Sequence, residues 1–393
     1  MRADTTASVL VLDEEQRAIA QTVREFVAQE EPVSAVRERI ESGSYDPAVW
    51  RRAAALGLPG IALPAEYGGA GLGAVEMAAV FEAAGEHLAL PALLPTVGFV
   101  GTALVEVDGL GACPDVVRGI AAGTTTAALV LGGTGTPYQA APAARARALG
   151  GTPRLSGHAG AVTGAAEADV LLVLAEEEDG PGLYLTPGDA DGVTRRRLTT
   201  LDLTRPVAEV RLQDAPAVRV AGGDAVVRGL SRALATATVL LAAEQVGAAS
   251  RCLDMSVEYA RTRVQFGRPI GSFQAVKHLC ADMLIALEEA RSVVYHARYL
   301  AGESDPALPA AASMAKVKAS EAFLRIARSC LQVHGGIGFT WEHDAHLYLR
   351  RAKASQLSLG SPAAHVEFLA DQIGVRVPGP ALAGNDSLRR QST

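Results

Sequence analysis

Apolar side chains recur at helical spacing near the start of the chain, with Val23, Phe26 and Val27 on one stripe of the amphipathic stretch from Leu12 to Glu30. Leu12-Asp13-Glu14-Glu15 opens this predicted helix, with Asp13 as its N-cap. A second predicted helix runs from Asp46-Pro47 through Trp50 to Leu56, because Pro47 suits a first turn and Gly57 stops what precedes it. The loop Pro64 to Gly71 follows, and another helix begins near Ala74. From about residue 126 the pattern changes. Val170 to Leu174 is a buried-strand run, and Leu183 to Leu185 and Ala208 to Leu212 are further strands. Gly and Pro interrupt this region every few residues, as in a small barrel or sandwich. From Asp224 helical spacing returns and holds to about Ile373, giving predicted helices at 224–261, 272–302, 309–333, 343–359 and 362–373. Long helices with short connectors imply a four-helix bundle. The fold class is therefore α+β, mainly α. An N-terminal helical domain spans 1–125, a small middle β domain 126–222 and a C-terminal helical bundle 223–375, before a tail at 376–393 rich in Pro, Gly, Ser and Arg that is expected to be disordered.

Composition narrows the function classes. The 393 residues carry a net charge of -7, so no basic face for nucleic acid is expected. Two charge runs, Arg195 to Arg197 and Glu176 to Asp179, read as solvated loop or strand faces. The longest apolar run, Ala233 to Ala243, falls short of the roughly 20 residues that span a bilayer, and the N-terminus shows no apolar signal core. No membrane association and a cytoplasmic location are expected. Cys113, Cys252, Cys280 and Cys330 have neither metal nor redox spacing and read as reduced, buried thiols. His343 and His346 lie three apart on a predicted helix without further ligands, so no metal site is expected.

Two segments carry candidate chemistry. The first is Tyr259-Ala-Arg-Thr-Arg263-Val-Gln265-Phe266-Gly267, followed by Gln274. An Arg where a helix ends offers a fork of donors that suits a phosphate or carboxylate. Phe266 adds a flat apolar face, and Gln274 an amide that can donate and accept. The second is Gln332-Val-His334-Gly335-Gly336-Ile-Gly338-Phe339, whose glycines permit a tight turn and close backbone approach to a ligand. Each alone is equally consistent with an ordinary helix end.

Together the segments resemble the acyl-CoA dehydrogenase family, which carries an Arg-x-x-Phe-Gly, a Gln shortly after it and a Gln-x-x-Gly-Gly-x-Gly-Phe turn. The stretch Leu56 to Gly73 resembles that family's N-terminal signature, and the resemblance runs from about 12 to 373. It implies an FAD lying across a subunit interface. Arg263 would then meet the diphosphate, with Gln265 and Phe266 lining it. Gln274 would contact the adenosine portion, and Gln332, Gly335 and Gly336 would close the pocket.

Elsewhere the family pattern breaks. The loop usually reading Thr-Glu-Pro-Gly-x-Gly-Ser-Asp is here Leu131 to Pro137. The Trp-Ile-Thr-Asn strand that packs on the flavin ring is Ala161-Val162-Thr163-Gly164, where only Thr163 matches. The catalytic Glu of a Tyr-Glu-Gly-Thr segment is replaced by Leu359, and the alternative base position falls near Ala237, with Thr238 where an Arg is common. Glu244 is a remote substitute, about 10 Å further along the same helix face. Three readings stay open. The chain is the base-lacking partner of a sister acyl-CoA dehydrogenase subunit in a dimer or tetramer that desaturates an acyl-CoA and passes electrons to an electron-transfer flavoprotein. Or it is a self-sufficient flavoenzyme with altered chemistry, oxygenase-like or acting on a carrier-bound acyl group. Or it is a non-catalytic scaffold.

Overall fold

The computed structural model describes residues 12–43, 46–149 and 151–375. The expected tail at 376–393 lies outside the described residues, as does the N-terminus before Leu12. Helix α1 (Glu14–Glu30) begins in a capping box, with the Asp13 carboxylate accepting from the Gln16 backbone and the Gln16 side chain returning the bond. It buries Val23 and Val27 against the rest of the N-terminal domain. Helix α2 (Val33–Ser42) follows. Helix α3 (Pro47–Ala55) is capped by Asp46 and buries Trp50. Helix α4 (Ala74–Gly85) is almost wholly buried. A wide π-helical turn, Leu93–Gly101, then runs into the short α5 (Thr102–Glu106). The sequence pattern did not show this turn. Helix α6 (Pro114–Ala121) closes the domain.

Strands follow from Ala127 to Gly222: β1 (Ala127–Val130), β2 (Gly133–Thr136), β3 (Gln139–Ala141), β4 (Ala144–Leu149), β5 (Thr152–Thr163), β6 (Val170–Glu177), β7 (Gly180–Pro187), β8 (Val193–Arg197), β9 (Val207–Pro216) and β10 (Val218–Gly222). Eight of them form one sheet in the order β10-β7-β6-β4-β5-β9-β8, with β1 running parallel to β6. The sheet has two buried faces, and one of them packs only on β-domain residues, as the expected small barrel or sandwich requires. Leu172 and Leu174 join the helical core, whereas Leu171 and Val173 pack with Val210 and Leu212 in a second cluster. The stretch from Leu131 to Pro137, expected as a loop, contains β2, which pairs with β3 in a separate hairpin.

The bundle consists of α7 (Asp224–Thr262), α8 (Gln274–Gly302), α9 (Leu308–His334), α10 (Ala345–Leu357) and the shorter α11 (Pro362–Gln372). Helix α7 is its axis, packing on α4, α8 and α9. Its approach to α4 is close enough to require glycine on both sides. A Cβ on Gly247 would lie 1.8 Å from the Glu82 carbonyl, and one on Gly85 2.2 Å from that of Glu244. By length and composition α7 holds a segment apolar enough to cross a bilayer, which the shorter run Ala233 to Ala243 did not reveal, but 72% of that segment is buried inside the fold. Its apolarity is that of a core helix.

Lys316 of α9 is a buried amine whose Nζ donates to the Ser355 carbonyl of α10. Burial lowers its pKa to about 7. Lys316→Met should therefore stabilise the chain by about 1–3 kcal/mol near neutral pH, because it removes a desolvated ammonium. The folded pKa is depressed, so between about 7 and 10.5 the unfolded chain binds more protons and native stability rises with pH. The gain from Lys316→Met should shrink over that window. Urea titrations of both proteins across the range measure this; a gain that is flat with pH contradicts it.

Candidate functional site

The end of α7 and the end of α9 are brought together by aromatic packing. Tyr259 and His334 stack with ring centroids 4.5 Å apart, and His343 lies 4.2 Å beyond His334. The Nδ1 of His334 faces the Cys330 carbonyl at 2.8 Å. Cys330 in turn lies against Cys252; a hydrogen bond from Cys252 pulls the Cys330 thiol down against burial, and burial pushes the Cys252 thiol up. Cys113, Cys252 and Cys330 are buried, but Cys280 is only half-buried, unlike the expectation for all four.

Beyond Tyr259 the chain turns sharply. Arg263 caps α7, its N–H donating to the Tyr259 carbonyl at 2.8 Å and its carbonyl accepting from Ile270 at the same distance. Between these bonds lies a two-residue hairpin whose central Phe266 and Gly267 have φ of 54° and 75°. Phe266 is thus a bulky residue in the left-handed region and is 90% exposed. Phe339 (73%) and Trp341 (56%) are exposed on the other segment. Arg263, Gln265, Gln274, Gln332, Gly335 and Gly336 are all exposed as well. Gln274 is the first residue of α8, whose N-terminus has no side-chain cap, so its leading N–H groups are available. Gly335 takes φ of 63° at the end of α9. A Cβ on Gly338 would press to within 3.2 Å of the Leu331 carbonyl. An exposed Arg, three amides, an uncapped helix start and an exposed aromatic ring fit the diphosphate and base of a dinucleotide cofactor. They fit it as an open surface that another body must cover.

Thr163 and Leu359 occupy a different place. Both line a cavity of about 530 Å³ between the β domain and the bundle, and none of the exposed set lines it. Its other walls include Phe99 of the π turn, Leu129 of β1 and Leu234 of α7. Thr163 ends β5. Leu359 follows α10 with φ of 58° and is held there by its carbonyl, which accepts from Nε2 of His365 at 2.9 Å. Burial lowers His365 to about 4, so the ring is neutral and its Nδ1 accepts from Ser313 at 3.0 Å. The Ser313 oxygen takes the Tyr138 hydroxyl at 2.9 Å. This buried chain fixes a leucine where the family pattern puts a carboxylate.

Nearby carboxylates are committed elsewhere. Arg351 of α10 donates to Asp202 (2.7 Å) and to Glu244 (2.6 Å), and Arg205 donates to the other oxygen of Glu244. Asp202 also accepts from the Thr204 N–H and hydroxyl, at 2.9 and 2.5 Å. Burial raises both carboxyl groups, but Arg351 and Arg205 outweigh it and hold both below the ordinary carboxylate range. Such oxygens are poor bases. Glu244, considered above as a remote substitute, is thereby corrected: it is a structural ion-pair partner joining α7 to α10 and the β8–β9 loop. Ala237 is fully buried, and Thr238 spends its hydroxyl on the Leu234 carbonyl at 2.7 Å. Sequence reasoning missed this cluster because its members are up to 149 residues apart and no local spacing announces it.

The N-terminal domain model of acyl-CoA dehydrogenases matches residues 13–107, and the C-terminal domain model matches 228–374. Acyl-CoA dehydrogenase IpdE2 of Mycolicibacterium smegmatis is 35% identical over 353 residues, covering 89% of this chain and 96% of that protein. The chain belongs to the acyl-CoA dehydrogenase family. Its fold matches a variant of the Tcur3481-Tcur3483 steroid ACAD, with a TM-score of 0.81 and 32% identity over 92% of this chain and 98% of that one. It also matches the ChsE4-ChsE5 complex from Mycobacterium tuberculosis, at 0.81 and 28%, over 94% of this chain and 99% of that one. This acyl-CoA dehydrogenase family chain thus resembles subunits of heteromeric members.

Proposed function

We propose that this chain is the base-lacking partner in a heteromeric acyl-CoA dehydrogenase that desaturates an acyl-CoA thioester at its α,β carbons. One observation carries the reading: an exposed face suited to a dinucleotide stands apart from a cavity whose base position is Leu359. In the complex, bound FAD supplies the acceptor for the hydride leaving the β carbon. Arg263 neutralises diphosphate charge through its fork of donors. Phe266 covers an apolar face of the cofactor, Gln265 lines the diphosphate and Gln274 meets the adenosine. Gln332 with the Gly335-Gly336 backbone closes the pocket. These groups bind and orient; none moves a proton. The sister subunit supplies the base for the α-proton, the contacts to the flavin ring and the binding of the acyl chain. Thr163 keeps one hydroxyl where the ring would be contacted in this chain's own cavity. Electrons leave to an electron-transfer flavoprotein. The assembly is a dimer or tetramer working in the cytoplasm, with no nucleic-acid partner.

The test is a desaturation assay on the co-expressed pair. Substituting the sister's glutamate by Gln should cost about 10²–10⁴ in kcat, the usual worth of a positioned base. Leu359→Glu in this chain should leave the rate within about twofold. A rise in rate with Leu359→Glu, or turnover by this chain alone, would assign catalysis to its own cavity and favour the self-sufficient alternative. A complex without FAD or turnover would favour the scaffold.

A further inference from the structure

A groove of about 360 Å³, within the range of small-molecule pockets, runs between α9 and α10. Leu324 and Leu331 of α9 and Leu349 of α10 give it an apolar floor. Arg328 stands on the same α9 stripe as the two leucines, and Arg350 and Lys353 line the groove from α10. Trp341 forms one wall and is held in place: its carbonyl accepts from Arg37, and its ring meets that of His346 edge-on at 4.6 Å. The Arg350 guanidinium lies 5.2 Å from the Trp341 ring centroid and donates to the Leu201 carbonyl at 3.3 Å. Lys353 donates to the Gln356 amide oxygen at 2.9 Å. Among the described residues, none of these three cations has a carboxylate at ion-pair distance, and no carboxylate lines the groove. Asp344, close by in sequence, is taken by Arg37 at 2.7 Å. Burial, with Arg37 and Arg350 near, lowers the His346 imidazole, so it adds no charge at neutral pH. Three uncompensated cations over an apolar floor stand out in a chain of net charge -7. Two guanidinium forks and an ammonium suit an oxyanion of more than one charge, and the floor favours an apolar body attached to it.

We propose that this groove is a binding site for a small molecule with an apolar body and a dianionic headgroup, the chemistry of a phosphate monoester. The body lies on Leu324, Leu331 and the Trp341 ring, and the headgroup meets Arg328, Arg350 and Lys353. The site does not need the flavin reading, since none of the residues assigned to FAD above lines it. It does meet the cavity of Leu359, because Leu201 and Lys353 line both. Arg328 and Arg350 line the groove and not that cavity, so they assign a ligand to one side or the other.

Octyl phosphate is the probe, titrated calorimetrically into the full chain, with octanoate and 1-octanol as the singly charged and neutral comparisons. Saturable one-to-one binding is expected, tightest for octyl phosphate and weakest for octanol. Trp50 and Trp341 are the chain's two tryptophans, so Trp50→Phe leaves Trp341 as the sole indole reporter, and its fluorescence should change with the same saturation curve. Arg328→Gln and Arg350→Gln, both away from the core, should each weaken octyl phosphate about three- to tenfold. Added salt should weaken octyl phosphate more than octanol. Leu357→Tyr, at an exposed edge of the Leu359 cavity, should leave the affinity within about twofold. Circular dichroism checks that each variant is folded. Absence of saturable binding overturns the proposal. So does octanoate or octanol binding as tightly as octyl phosphate, affinity that survives both arginine substitutions, or affinity that is lost in Leu357→Tyr.

Discussion

Arg351→Met should lower the stability of the chain by about 3–5 kcal/mol, the usual result of removing one partner from a buried ion-pair cluster. Arg351 is 1% exposed and faces Asp202 and Glu244 together. Without it, Arg205 alone must compensate both carboxylates. Asp202 belongs to the β8–β9 loop and Glu244 to α7, so the loss should loosen the β domain from the bundle. The pH dependence has a definite sign. Asp202 and Glu244 are held below their ordinary values of 3.8 and 4.5. Their contribution is therefore fully present above those values and is lost as pH falls through the lowered ones. In Arg351→Met the carboxylates lose that support, so the gap between variant and parent should close as the medium is acidified from neutrality. Adding Asp202→Asn to Arg351→Met should recover part of the loss, since it leaves Glu244 paired with Arg205 and no carboxylate uncompensated. Urea unfolding at neutral and acidic pH measures each of these. A loss below about 1 kcal/mol would mean that the cluster is solvated in solution.

Arg263→Ala should strip FAD from the complex while leaving this chain folded. Arg263 is exposed and, among the described residues, holds α7's end through its backbone N–H and carbonyl, which alanine keeps. A charge-assisted hydrogen bond is worth about 1.5–3 kcal/mol, so cofactor affinity should fall roughly 10- to 150-fold. Phe266→Ala should also weaken it, through lost apolar contact, although relief of the left-handed φ is small because alanine is strained there too. Cofactor absorbance after gel filtration reads both. The informative comparison is with Thr163→Ala, which lies in the other cavity and should change FAD retention little.

The legibility of this chain was uneven for physical reasons. Helix starts were readable because caps are local: Asp13 and Asp46 announce α1 and α3, and both do bond the backbone of the turn they precede. The long helices of the bundle were readable because an apolar stripe repeats through them. Strand runs such as Val170 to Leu174 were readable, but not how many layers they make, since a run buried on both faces does not say what covers each. The π turn at Leu93–Gly101 was invisible because its neighbours are apolar on every side. The exposed set around Arg263 was legible as a motif because its residues are nearly contiguous. Its exposure was not, because nothing local distinguishes a Phe266 facing solvent from one facing the core. The ion pairs of Glu244 were not legible for the same reason: its partners Arg205 and Arg351 come from distant segments and meet only in the folded chain.

The central claim is that this chain completes a flavin site seated mainly in another subunit. The most direct measurement is FAD per protein, determined for the purified chain alone and for the complex co-purified with its sister acyl-CoA dehydrogenase subunit. The account predicts little or no FAD on the isolated chain, and in the complex one FAD for each site this chain helps to close, fewer than one per polypeptide. Stoichiometric FAD on the isolated chain would contradict it.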